Sequence, residues 1–220
     1  MKYMIFFISF SMVTPSPVYA WGMPELPVEI PGIGGGGGAD LSSLESAQSK
    51  LADRTNKVMG DFVDALDKFR EALGLDRDSS LKEKFANCGS GKVCTESDDI
   101  KRIESQAKEV EEKVVQMKKD GIKLSADASK IFSEGLFPYG KGLLKGGLLG
   151  TDIAAFSSQA TNAILGNPLS ILSVLPQLPA FLEIIKQMRS IISTFSSANG
   201  AIYDYATYNG IEKPEDTGPG

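Results

Sequence analysis

Residues 98–135 read DDIKRIESQAKEVEEKVVQMKKDGIKLSADASKIFSEG. Small or apolar residues recur in this stretch at alternating steps of three and four: Ile100, Ile103, Ala107, Val110, Val114, Met117, Gly121, Leu124, Ala128, Ile131 and Gly135. That is a heptad stripe, and it predicts one long helix that buries a narrow face against another helix. Gly121 sits within the stripe, where it permits a close approach or a bend. Glu96-Ser97-Asp98-Asp99 precedes the stripe and places cap oxygens and negative charge at the positive end of the helix.

A second heptad pattern lies upstream. Leu44, Leu51, Val58, Ala65 and Ala72 recur every seven residues, with Thr55, Phe62 and Phe69 at the complementary offset. Met59, Leu66 and Leu73 widen the stripe, Asp40 to Ser43 offer caps, and Gly74 stops the helix. Leu81 to Ala86 is expected to form one short helical turn. Two long heptad helices joined through a short connection predict an antiparallel hairpin over 41–137.

The connection contains Cys88 and Cys94, separated by Gly89-Ser90-Gly91-Lys92-Val93. Two cysteines flanking a Gly/Ser turn predict a disulfide that staples the loop. The chain has no histidine and no C-x-x-C spacing, so neither a zinc set nor a thioredoxin-like redox pair is expected.

Charge density then changes abruptly. Residues 98–134 carry 17 charged side chains, whereas residues 135–182 carry three: Lys141, Lys145 and Asp152. The helical charge pattern fades near Phe137-Pro138. Gly142, Gly146 and Gly150 follow at steps of four, a small-xxx-small ladder if helical but poor helix formers in water. Thr151-Asp152 is placed to cap a further helix with Ile153, Phe156, Ala160 and Ile164 on one face, ended by Gly166-Asn167-Pro168. A last helix carries Phe181, Ile185, Met188, Ile192, Phe195, Asn199 and Ile202 at four-three spacing. No window predicts a strand.

The ends carry signals of another kind. Lys2, the apolar run Tyr3 to Val13, the break at Thr14-Pro15-Ser16-Pro17 and the small-residue pattern Val18-Tyr19-Ala20 read as a secretory leader, residues 1–20. A chain starting at Trp21 has 22 basic against 28 acidic residues, net charge −6. That balance argues against nucleic acid as a partner. Export to the periplasm or the exterior supplies the oxidising compartment a disulfide needs. Residues 21–40, with Pro24, Pro27, Pro31 and the run Gly34 to Gly38, are expected to be a flexible linker. The expected organisation is therefore an all-α helical domain over 41–210, with a flexible N-terminal arm and a disordered tail at 211–220. Within the domain, a coiled-coil-like antiparallel hairpin (41–137) packs with an apolar, Gly/Pro-interrupted segment (138–182) and a last helix (183–210) into a bundle.

Catalytic patterns are weak. Without histidine there is no Ser-His-Asp, Cys-His or H-E-x-x-H site. Ser79-x-x-Lys82 and Ser105-x-x-Lys108 match S-x-x-K by letter and lack its companion motifs. Asp76-x-Asp78-x-Ser80 starts like a calcium loop, but Leu81 stands where glycine is required and Asn87 where glutamate is required. No cofactor or metal is predicted. Tyr203, Tyr205 and Tyr208 would line the pocket of a small-ligand carrier; straddling the last helix and its surface is the simpler role.

Two functions follow as expectations. The first is a non-enzymatic, exported interaction or scaffold protein of the envelope or exterior, such as an accessory subunit of a secretion or conjugation apparatus, with protein partners and with self-association left open. The second is membrane action, with 136–182 as a conditional membrane element; a rod ending in a hydrophobic head resembles α-helical pore-forming proteins in outline only. For either reading, Gly142, Gly146, Gly150, Ile153, Phe156, Leu172 and Leu175 are the predicted partner or membrane residues.

Overall fold

A computed structural model describes residues 41–212, the side chains of Ser170, Leu172 and Val174 excepted. The predicted leader (1–20), the linker (21–40) and tail residues 213–220 lie outside the described residues. Six helices and no strand occur among the described residues: α1 (Leu41–Ala72), α2 (Ser79–Ala86), α3 (Ser97–Lys119), α4 (Ala126–Gly166), α5 (Pro168–Val174) and α6 (Leu178–Tyr208). The molecule is an all-α bundle.

Helix α1 follows its heptads. Leu44, Leu51, Thr55, Val58, Phe62, Ala65 and Phe69 are all buried. It ends where the sequence places the stop: Gly74 takes φ +67°, Leu75 N–H donates to the Arg70 carbonyl at 2.8 Å and Gly74 N–H to Glu71 at 3.3 Å. That is a Schellman cap, which a side chain with a Cβ would strain. Helix α2 begins two residues before its predicted turn because the Asp78 carboxylate accepts from Leu81 N–H at 3.4 Å. Helix α3 opens with a capping box in which the Asp99 carboxylate accepts from Glu96 N–H at 2.9 Å.

The predicted long helix from Ile100 to Gly135 is two helices. Gly121 adopts φ +70°, and Ile122 N–H donates to the Met117 carbonyl at 2.9 Å, the same cap that closes α1. Ser125 then starts α4 by accepting from Ala128 N–H at 3.2 Å. The stripe is buried from Ile100 to Val114 and does not continue across the turn as one face.

The helix does not end where its charge pattern fades, near Phe137-Pro138. Helix α4 runs for 41 residues straight through Pro138 and the glycines, and Thr151-Asp152 lies inside it rather than capping a new helix. Tertiary packing overrides propensity here. The residues Phe132, Gly135, Tyr139, Gly142, Gly146, Leu149, Ile153, Phe156 and Ala160 are buried at steps of three and four, so the apolar segment carries its own heptad stripe. The last helix extends past Asn199-Gly200 to Tyr208. Ile211, expected in the tail, packs partly against the core.

The long antiparallel pair expected of the bundle is present, but its partner helix differs. The pairs Lys68–Glu134, Asp61–Lys145 and Arg54–Asp152 show α4 descending along α1. Helix α3, the predicted partner, runs parallel to α1: Arg70 pairs with Glu109 near the end of α1, and Asp53 binds Gly91 N–H just ahead of α3. The connection causes this. Helix α2 and the cysteine loop lead the chain back along α1 before α3 begins, so α3 sets off in the same direction. Helix α3 packs chiefly on α6, again in parallel, with Ser97 near Gln187 and Lys118 near Asp204. Helix α6 is antiparallel to α4, with Phe132 on Tyr205 and Phe156 on Phe181.

Candidate interaction surface

The predicted disulfide between Cys88 and Cys94 is formed. Its loop is bound to α1 by the side chains of Asp53 and Asn56, about two and a half to three turns beyond Leu44. Asp53 accepts from Gly91 N–H at 2.6 Å and from Ser90 Oγ at 2.9 Å, and Asn56 Oδ1 accepts from Cys94 N–H at 3.3 Å.

The ionic groups are arranged as fasteners between helices. Arg77 donates twice to Asp67, at 2.7 Å each, and Lys82 donates at 3.0 Å. The Arg77 bonds hold the Asp67 carboxyl below the usual carboxylate range, against the upward push of burial. Asp78, of the incomplete calcium pattern, is also held low: burial raises it, but bonds from Ser80, Arg102, Gln106 and Leu81 N–H outweigh that push. Lys84 donates to Asp99 at 2.6 Å. No cluster among the described residues has the make-up of a metal site.

A cleft of ≈ 740 Å³ lies over Gly60 of α1, between Phe85 with the cysteine loop on one side and Lys141 and Lys145 of α4 on the other. Three acids line it: Asp64 lies 3.8 Å from Lys82, and burial pushes its carboxyl above the usual carboxylate range. Asp53 binds the loop, and Asp61 accepts from Lys145 at 2.8 Å.

The glycine ladder does not face outward. A Cβ on Gly142 would stand 2.7 Å from the Phe62 ring, and one on Gly146 would stand 3.2 Å from Ile192. Gly150, off the stripe, has open space around it. Ile153, Phe156 and Leu175 are buried, and the Leu172 side chain lies outside the described residues. The predicted partner or membrane segment is therefore mostly core. Among the tyrosines, Tyr205 is buried beneath Phe132 and Tyr208, and it donates its hydroxyl to the Ile122 carbonyl at 3.2 Å. Tyr208 lies under Lys123.

Outward apolar residues occur beside those predicted, and also at Val115 and Ile122, 51% and 47% exposed. On α4, Phe137, Leu144 and Leu148 remain 48%, 55% and 44% exposed. They fall at i, i+7 and i+11, so they share one face, with Lys141 and Thr151 exposed between and beyond them. At the α4–α5 junction Leu165 and Leu169 are 77% and 85% exposed. This second stripe was visible as spacing, but the inner stripe has the same apolar composition, and only packing separates them. No described helix is long and apolar enough to cross a membrane.

The chain matches no protein-family model, and comparison with curated proteins and with solved structures finds no match.

Proposed function

We propose that this chain is an exported, non-enzymatic interaction protein, a helical scaffold component of the envelope or exterior such as an accessory subunit of a secretion or conjugation apparatus. The outer face of α4 is its partner surface. The observation that carries the reading is the half-exposed series Phe137, Leu144 and Leu148 on a helix whose opposite face is fully packed. Heptad-spaced apolar residues on an exposed helix suit a partner helix laid alongside. The formed disulfide is compatible with an oxidising compartment, and the leader-like N-terminus points the same way. The absence of histidine and of any complete nucleophile motif in the sequence supports a binding role over catalysis.

The membrane reading of 136–182 is less well supported. Tyr139, Phe156 and Phe181 from that segment are core aromatics, so inserting it would dismantle half the bundle.

The test is site-specific photo-crosslinking in the native host. A photoreactive residue at position 144 should trap a discrete adduct, and one at exposed Glu112 on α3 should not. The adduct at 144 should vanish when Phe137 and Leu148 are changed to Glu. An adduct at 112 alone would move the interface off α4. Fractionation and N-terminal mass of the same chain test export, with Trp21 as the expected first residue.

A further inference from the structure

The bundle is electrically polarised along its length. One end gathers Lys118, Lys119, Asp120, Lys123, Asp127 and Lys130, from the close of α3 to the opening of α4. The other end is built from the first turn of α1, the last turns of α4, α5 and the first turn of α6. Arg54–Asp152 and Phe156–Phe181 bring these pieces together. No charge occurs between Asp152 and Glu183 or within Leu41–Leu44, and Asp40, the residue before Leu41 in the sequence, is acidic. What this end exposes is Leu165 and Leu169 among Thr161, Asn162, Asn167 and Gln177.

We infer that this cap, whose described residues carry no charge, docks on a zwitterionic lipid surface, with Leu165 and Leu169 as the inserted pair. Three features favour lipid over a protein partner. The two most exposed large apolar residues project from the same junction. Their exposed neighbours are uncharged hydrogen-bonding groups suited to the headgroup layer, and none of them supplies the charge complementarity that fixes a protein partner. The depth also fits. Among the described residues, the first charges behind the cap are Glu45, four residues into α1, and Glu183, five residues into α6. At 1.5 Å per residue the neutral cap is about 6–8 Å deep, within the ~5–10 Å that interfacial elements enter. Those first charges are acidic and the whole chain has net charge −5, so anionic lipid should repel the cap. Docking leaves the core intact, unlike insertion of 136–182, and uses residues other than the α4 stripe.

The test is flotation of the chain, purified after export and with its N-terminus established by mass spectrometry, on phosphatidylcholine/phosphatidylethanolamine vesicles. Wild type should float, binding should persist in 1 M salt, and adding phosphatidylglycerol should weaken it. L165E/L169E should lose at least tenfold in partitioning while its circular dichroism and melting match wild type. L144E, which disrupts the proposed partner face, should float as wild type does. Equal flotation of L165E/L169E, no flotation of wild type, or salt-sensitive binding that needs anionic lipid would each overturn the proposal. The L144E arm separates its failure from failure of the partner-face reading.

Discussion

Gly142 and Phe62 are separated by the space of one missing methyl group: a Cβ on Gly142 would stand 2.7 Å from the Phe62 ring. The ring has no retreat, because it stacks on Phe195 with centroids 3.9 Å apart. Seven residues away the arrangement repeats: a Cβ on Gly135 would stand 2.8 Å from the Phe69 ring. A step of seven up α4 thus matches a step of seven down α1, and glycine opposite phenylalanine sets how near the two helices come.

Gly142→Ala should therefore destabilise the protein. Overpacking costs about 1–3 kcal/mol and outweighs the ~1 kcal/mol of helix propensity recovered. Gly150→Ala, made in open space within the same helix, should stabilise by about 0.5–1 kcal/mol. Urea denaturation of both variants decides the matter; shifts of the same sign would contradict the packing described.

Val114 is fully buried on α3, and Glu112 two residues earlier is exposed. Val114→Asp leaves an unpaired charge in the core and should cost roughly 3 kcal/mol or more, while Glu112→Ala should leave Tm nearly unchanged. Equal melting temperatures would remove Val114 from the core.

Tyr139 is buried and donates its hydroxyl to the Phe195 carbonyl at 2.6 Å. Burial, then the neighbouring Tyr203 and Glu111, push its pKa far above the ordinary phenol value. Tyr139→Phe keeps the ring and should cost about 0.5–1.5 kcal/mol. In an alkaline absorbance titration, wild type should show one more tyrosine than the variant ionising only as the bundle unfolds. Ionisation of that extra tyrosine while helicity is intact would place it at the surface.

The Cys88–Cys94 loop is short, so reducing it should lower stability by only ~2 kcal/mol. The Asp53 and Asn56 contacts should hold the loop in place. Thermal melts with and without reductant, monitored at 222 nm, should show a lower midpoint and unchanged helix content. Loss of helicity on reduction would make the bridge essential to the fold.

Asp67 and Asp78 have carboxyl pKa values below their unfolded ones. Their contribution is complete above the unfolded value of about 3.9 and is lost as pH falls through the lower folded values. Asp67→Asn should be less stable than wild type at pH 7, and the gap should close below about pH 4. A gap that persists at pH 2 would assign the effect to packing rather than to charge.

Helix positions were legible wherever local chemistry sets them. The heptads of α1, the Gly74 stop and the Glu96-to-Asp99 cap can be read because capping and face periodicity act within a few residues. Gly121 was visible in the stripe, but whether a glycine bends a helix or ends it depends on whether the next residues find tertiary partners. Here Leu124 N–H finds Asn209 Oδ1 at 2.8 Å. The surface was harder to see. Phe137, Leu144 and Leu148 are indistinguishable in composition from Leu136, Leu149 and Ile153, and only the position of α1 decides which set is covered.

The sequence by itself determined that this chain is helical, where α1 begins and ends, and that its cysteines close a small loop. Those outcomes rest on backbone hydrogen bonding, caps and periodicity, which are local. The tertiary structure alone decided that α1 pairs with α4, that α3 runs parallel to α1, and that a proline- and glycine-bearing segment forms one long helix. Heptad stripes say that a face will be buried, not against what. The choice came from shape: Phe62 and Phe69 are accommodated by Gly142 and Gly135, two residues whose value lies in the side chains they lack.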